Sequence, residues 1–287
     1  MSDRLSGTCV FWGVRGSTPC ADRENMDYGG NTTCLQVELP GTEEVLIFDS
    51  GTGIRKLGQY LHERHERLKG RIFITHPHWD HIQGFPFFKP LHQADNQFHI
   101  HMPVQQEGSC REIMSGHFGK TFFPVPLDTL DACLNFVDQQ PERAAFGAYE
   151  VEYLKAIHGT NTAMYKLHIG GRQMVFAPDN ELVPEKYRDS NRRMESIAKF
   201  IRGVDLLIHD AQYDLEAYEH RRGWGHSPWQ EVVRLAREQQ VRKLYLTHHD
   251  PEAHDRKLQQ LDEYLRENYG SYFEVIKLAR EGQTEKI

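Results

Sequence analysis

Short apolar runs broken by few polar residues dominate the first fifty positions: Thr8 to Val14, Cys34 to Leu39 and Val45 to Phe48. Bounded by turn residues, such runs predict strands. Pro40-Gly41-Thr42 separates the last two runs and predicts a hairpin turn, so the chain should open with antiparallel pairing. The pattern then changes. From Ile54 to Leu68 apolar residues recur at helical spacing among many charges, and Arg71-Ile72-Phe73-Ile74-Thr75, bounded by Gly70 and Pro77, reads as a short buried strand. Further strands are predicted at Phe98 to Met102, Leu134 to Val137, Tyr149 to Ile157, Ala163 to Ile169, Gln173 to Phe176, Val204 to Ile208, Lys243 to Leu246 and Tyr272 to Lys277. Helices are predicted at Ser190 to Ile201, Pro228 to Gln239 and Asp255 to Tyr269. Two strand-rich halves with helices between and outside them imply an α/β fold: an αββα sandwich of two mixed β-sheets flanked by helices, forming one domain over residues 1–287. Loops at one sheet edge should carry the chemistry. The stretch from Phe85 to Ala145 is the least periodic, and its Phe118, Phe122, Phe123, Pro124 and Pro126 suit either a lid over 85–145 or a packed connection.

Composition narrows the class of function. Hydrophobic residues make up 39% and charged residues 26%, with no run of eighteen apolar residues, which points to a globular protein rather than a membrane one. Met1-Ser2-Asp3-Arg4-Leu5-Ser6-Gly7 lacks the basic and apolar stretches of a secretory signal, so a cytoplasmic location is expected. Five cysteines without a Cys-x-x-Cys pair argue against a disulfide framework or a cysteine zinc site, and read as free buried thiols. A net charge of −7 opposes capture of a long nucleic acid, because such binding rests on clustered Lys and Arg. A small-molecule substrate fits better, with no membrane partner.

Histidine is the one unusual count, at 17, and its positions concentrate the chemistry. His76-Pro77-His78-Trp79-Asp80-His81 follows a predicted strand. Residues two apart in extended backbone point to the same side, so His76 and His78 can offer two imidazoles to one ion. Asp80 and His81 follow at once, and four donors within six residues could serve two adjacent divalent metals.

Thr75-His76-Pro77-His78-Trp79-Asp80-His81-Ile82-Gln83-Gly84 resembles the His-x-His-x-Asp-His signature of the metallo-β-lactamase superfamily. In that family further ligands follow later strands, and the matching candidates are Ile157-His158-Gly159, Phe176-Ala177-Pro178-Asp179-Asn180 and Leu246-Thr247-His248-His249-Asp250. The resemblance implies that His76, His78 and His158 hold one ion and Asp80, His81 and His248 the other, with Asp179 between them. His249 is an alternative to His248. The implied cofactors are two divalent metal ions, zinc first, with manganese or iron as alternatives. Asp49, in Phe48-Asp49-Ser50-Gly51-Thr52-Gly53, matches a family loop whose carboxylate supports the metal loop. His62, His65, His99 and His101 read as solvated or packed.

Phe11-Trp12-Gly13-Val14-Arg15-Gly16-Ser17-Thr18-Pro19 and Tyr28-Gly29-Gly30-Asn31-Thr32-Thr33-Cys34 resemble the ribonuclease Z-like and cyclic-nucleotide-phosphodiesterase-like branch. In that branch an acidic residue after a strand orients a histidine in a His-Ser motif, which assists at the scissile phosphate. Asp210 and His226 match those places, though His226 also suits the start of a helix. The implied reaction is in-line attack of hydroxide on phosphorus, with Asp80 orienting the nucleophile and His226, held by Asp210, assisting the leaving group. The glycine- and proline-rich basic arm with which ribonuclease Z enzymes grip transfer RNA is missing from the sequence. The expected function is therefore hydrolysis of a small phosphodiester such as a cyclic nucleotide. Hydrolysis of a thioester, lactone or lactam, or metal binding without hydrolysis, are the competing readings, and relatives of this branch suggest a homodimer.

Overall fold

The computed structural model describes residues 7–187 and 192–287. Strands β1 (Thr8–Gly13), β2 (Cys34–Glu38), β3 (Glu44–Phe48), β4 (Lys69–Phe73), β5 (Gln97–Pro103) and β6 (Cys133–Gln139) cross a first sheet in sequence order. Strands β7 (Arg143–Phe146), β8 (Tyr149–Lys155), β9 (Ala163–Ile169), β10 (Arg172–Ala177), β11 (Leu206–Asp210), β12 (Lys243–Thr247) and β13 (Val275–Leu278) cross the second in sequence order. The last strand, β14 (Thr284–Lys286), returns to pair with β1. Helices are α1 (Ile54–His62), α2 (Trp79–Ile82), α3 (Cys110–His117), α4 (Arg192–Ile201), α5 (Leu215–Glu219), α6 (Trp229–Glu238) and α7 (Asp255–Tyr269).

Each sheet begins antiparallel and continues parallel. Pairing is antiparallel through β1, β2 and β3 and parallel from β3 to β6. It is antiparallel from β7 to β10 and parallel from β10 to β13. The parallel strands β4, β10, β11 and β12 each release a loop at the carboxyl end, the usual place for a ligand in such sheets.

Three apolar clusters follow from this layering. Between the sheets, Phe11, Phe48, Phe73, Tyr165, Phe176 and Ile208 pack together, with Phe48 and Phe73 stacked 5.6 Å apart. Tyr165 also donates its hydroxyl to the Ile74 carbonyl at 2.9 Å, tying the second sheet to the chain just before the histidine motif. A second cluster packs Met194 and Ile197 of α4, Val232 and Leu235 of α6, and Leu258 and Leu265 of α7 with strand residues Val175, Leu207 and Leu244. A third packs Leu57 and Leu61 of α1 with Phe88, Ile100 and Met114. The result is the expected αββα sandwich.

Several expectations needed correction. The first helix stops at His62 rather than Leu68, because residues 63–67 are all polar and exposed and give the core no face to hold. Strand β4 starts at Lys69, with Gly70 inside it; a Cβ there would come within 2.7 Å of the Val45 carbonyl. The strands expected from Val204 and Tyr272 start later, at Leu206 and Val275, after turns. The stretch 85–145 is not irregular: it carries β5, α3 and β6, and Phe85, Phe88 and Phe118 are buried. A capping box at Ser109 and Glu112 starts α3, a signal of the Ser-x-x-Glu type that apolar periodicity overlooks. Cys133 is exposed, unlike the other four thiols. Ser190, the expected start of the helix ending at Ile201, lies outside the described residues. Among the described residues no helix is long and apolar enough to cross a membrane.

Candidate metal centre and the adjoining acid

After β4 the chain runs extended through Thr75 to His78 and then turns into α2, where the His81 amide donates to the His78 carbonyl at 3.0 Å. This turn folds Asp80 and His81 back beside His76. The His76 ring centroid lies 4.3 Å from those of His78 and His81 and 4.7 Å from that of His158, which follows β8. His78 Nδ1 and His158 Nε2 are 3.2 Å apart.

Asp179, beyond β10, divides its carboxylate between two sets of donors. Its Oδ1 lies 3.7 Å from His158 Nε2 and 4.0 Å from His76 Nε2. Its Oδ2 lies 2.9 Å from His81 Nε2 and 3.2 Å from His248 Nε2. Asp80 Oδ2 is 3.1 Å from His248 Nε2 and 3.3 Å from His81 Nε2. The donor atoms of His76, His78 and His158 lie within 4.8 Å of one another, as do those of Asp80, His81 and His248. Among the described residues, none of His62, His65, His99, His101 or His249 belongs to such a group. His249 instead donates from Nε2 to the Ala279 carbonyl at 2.8 Å and meets the Tyr28 ring edge-on.

These residues suit divalent cations on two counts. Among the described residues the buried Nε2 of His76 makes no hydrogen bond, an arrangement that costs free energy unless an ion takes its lone pair. Burial also pushes the pKa values of His76, His78 and His158 down, with neighbouring histidines adding to it, so these imidazoles are held neutral and ready to ligate. Burial alone would raise the carboxyl pKa of Asp179, but His248, His81 and His76 outweigh it and keep the group ionised.

A supporting shell surrounds the donors. Asp49 accepts from the Thr75 amide at 2.7 Å and from His81 Nδ1 at 2.7 Å, which fixes that ring with Nε2 facing the cluster. The Thr75 hydroxyl also reaches Asp49 and His76 Nδ1. The Ser17 amide donates to Asp80 Oδ2 at 2.8 Å. Ser17, Asp49 and His248 all adopt left-handed backbone, with φ of 62°, 61° and 60°, conformations that cost energy away from glycine and persist where surroundings enforce them. Gly16 and Gly225 allow close approach: a Cβ would lie 2.3 Å from His248 Nδ1 at the first and 2.1 Å from His158 Nδ1 at the second.

Beside the cluster stands His226, whose Nδ1 lies 2.9 Å from Asp210 Oδ2. Its ring stacks on that of His248 at 4.9 Å. Burial disfavours the charged form of His226, yet Asp210 outweighs it, with Asp179 and Asp80 assisting, and raises the pKa to about 9. Asp210 is itself fully buried at the end of β11, where it also accepts from the Gln212 amide at 2.9 Å. Glu181 holds the His226 loop by accepting from the Gly223 and Gly225 amides at 2.9 and 3.0 Å. Ser227 bonds inward to Leu182 N and the Asn180 carbonyl. An open cavity of about 460 Å³ is lined by Ser17, Pro77, His78, Trp79, Asp80, Asp179 and His226.

All nine candidate residues thus meet where loops of the two sheets converge. Motif reading passed over Thr75, Asn180, Glu181 and Ser227 as contributors, although Thr75, Asn180 and Ser227 adjoin named candidates in sequence. Glu181 carries no signal short of the folded loop.

A family model described as a beta-lactamase superfamily domain matches residues 45–249. Ribonuclease Z of Haloarcula marismortui is 21% identical, across 97% of this chain and 96% of that protein. Among solved structures, the metallo-beta-lactamase fold protein YhfI from Bacillus subtilis superposes with a TM-score of 0.70 at 19% identity, covering 99% of this chain and all of that one. A diphosphatase from the PhnP family superposes with a TM-score of 0.69 at 16% identity, covering 98% of each chain.

Proposed function

The chain belongs to the beta-lactamase superfamily, and from that premise we propose that it is a dinuclear metal-dependent phosphodiesterase acting on a small phosphodiester such as a cyclic nucleotide. The observation that carries this reading is the Asp210–His226 pair, 2.9 Å apart, in which the buried carboxylate backs an imidazole that lines the cavity beside the candidate metal ligands. Every hydrolase of this superfamily needs its cations. Phosphodiester cleavage also needs a proton for a poor alkoxide leaving group, a demand that a thioester, which expels a thiolate, makes weakly. The similarity to ribonuclease Z and to a diphosphatase supports phosphorus chemistry, and the net charge of −7 favours a small diester over a long RNA.

In this mechanism His76, His78 and His158 would hold one ion and Asp80, His81 and His248 the other, with Asp179 shared between them. Two divalent ions supply a nucleophile from water at neutral pH and neutralise charge on the phosphate oxygens. Asp80 lies on the cavity wall with Oδ2 fixed by the Ser17 amide, where it orients the attacking water and takes its proton. His226, with Nδ1 committed to Asp210, presents Nε2 to the substrate. Its raised pKa keeps it charged at neutral pH, so it can bind a phosphate oxygen and donate to the departing alkoxide.

The deciding assay offers metal-loaded protein bis-p-nitrophenyl phosphate, 2′,3′- and 3′,5′-cyclic nucleotides, a thioester and a lactam. Turnover of the diesters above the others is expected; turnover of the thioester or lactam alone overturns the reading.

A further inference from the structure

Ser17 stands on the cavity wall in a backbone conformation that suits glycine. Its φ is 62°, and the Thr18 amide donates to the Gly16 carbonyl at 2.7 Å across it, closing a tight three-residue turn. A side chain at such a position costs energy that glycine avoids. The residues before it are anchored. The Gly16 amide donates to the His249 carbonyl at 3.0 Å, and the buried Arg15 guanidinium donates to the Gly29 and Ala253 carbonyls at 2.8 and 2.6 Å.

Ser17 Oγ has one hydrogen-bond partner among the described residues: it accepts from Gln212 Nε2 at 3.1 Å. Gln212 is buried, and its backbone amide donates to Asp210 Oδ1 at 2.9 Å, while the Ser17 amide donates to Asp80 Oδ2 at 2.8 Å. A short chain of bonds therefore runs from the carboxylate behind His226 to Asp80, with the Ser17 hydroxyl in its middle and Ser17 itself exposed. A hydroxyl has one proton to give and two lone pairs to receive. With a lone pair taken by Gln212, the proton of Ser17 is left for the cavity, on the wall shared with Asp80 and His226.

We propose that the Ser17 hydroxyl, oriented by Gln212, donates a hydrogen bond to one non-bridging oxygen of the bound diester, and so tells the two non-bridging oxygens apart. The inference rests on the phosphodiesterase reading and adds a substrate-binding residue to that site. A donor fixed before the substrate arrives stabilises charge on a phosphate oxygen without reorganising during the reaction. Gln212 touches no substrate. It is a positioning residue, whose carboxamide decides whether Ser17 gives its proton to the cavity or back to the protein.

Methyl p-nitrophenyl phosphate and the two enantiomers of its phosphorothioate test the contact on metal-loaded protein, because p-nitrophenolate leaves with little help from His226. Ser17→Ala and Ser17→Gly both keep the backbone amide that holds Asp80. Each should keep its metals and lower kcat/KM for the oxygen diester roughly 10- to 100-fold, the size of one hydrogen bond to a charged group. Sulfur accepts hydrogen bonds weakly, so the rate ratio of the two phosphorothioates should change several-fold in both variants. Gln212→Glu, whose carboxylate takes the Ser17 proton, should match Ser17→Ala. Wild-type kcat/KM in Ser17→Ala overturns the proposal. So does a lower kcat/KM with an unchanged phosphorothioate ratio, since Ser17 then acts only through Asp80, and so does wild-type turnover by Gln212→Glu. A wild-type protein that turns over no diester removes the phosphodiesterase reading instead. Inorganic phosphate, titrated calorimetrically into the same metal-loaded proteins, then decides for Ser17: weaker binding by Ser17→Ala keeps the contact, and equal affinity removes it.

Discussion

His226 and Asp210 act as a unit, and their variants should show it. His226→Ala should keep its metals and lose roughly 10²–10⁴-fold in diester turnover, the range for one positioned acid. Asp210→Ala should follow more weakly, and the double variant should be little worse than His226→Ala, because the carboxylate works through the imidazole. A p-nitrophenyl leaving group should shrink the defect. Wild-type turnover of ordinary diesters by metal-loaded His226→Ala would remove the assignment. The two carboxylate oxygens of Asp179 face different donor sets, so Asp179→Ala should lower the content of both ions. His249→Ala should leave metal content near normal, since that ring bonds to the Ala279 carbonyl. Equal metal loss in these two variants, read by elemental analysis, would refute the placement of the last ligand.

At the scale of elements, β5 carries a histidine with a role in pH-dependent stability. His101 stacks on Phe73 at 4.5 Å, and its pKa is lowered to about 4, first by burial and further by Arg71, against the hydrogen bond with Gln139. The folded state therefore resists protonating His101. This contribution is complete above the unfolded pKa of about 6.5 and is lost as pH falls from there through about 4. The gap corresponds to about 3 kcal/mol. His101→Phe should flatten the fall of the urea midpoint across that window, whatever it does to stability at pH 7. An unchanged slope would show that other groups govern acid unfolding.

Across the whole molecule, the proposed ligands come from loops of both sheets: His76, His78, Asp80 and His81 after β4, and His158, Asp179 and His248 after β8, β10 and β12. Bound ions would therefore staple one sheet to the other. Ions that bind only the folded chain stabilise it by about 2.7 kcal/mol at a hundredfold excess over Kd. Chelation should lower Tm by several degrees and metal should restore it. Unfolding should stay cooperative throughout, because Phe48, Phe73, Tyr165 and Phe176 join the sheets without metal. A Tm indifferent to chelation in protein shown to lose its metal would sink this account.

The order of elements and the chemistry at strand ends were legible in the chain. Short apolar, β-rich runs marked nearly every strand, and the resemblance to a metal-ligand signature named the aspartates and histidines just beyond them that converge. Boundaries were less legible: periodicity ran past His62 although residues 64–67 have no core to meet, and α3 began on a capping box with little apolar repeat. Only the folded chain decided that β14 closes on β1, that Asp179 turns one oxygen to each donor set, and that Glu181 ties down the loop of His226. Those are contacts between residues far apart in sequence, set by how two sheets pack, and no local pattern encodes them.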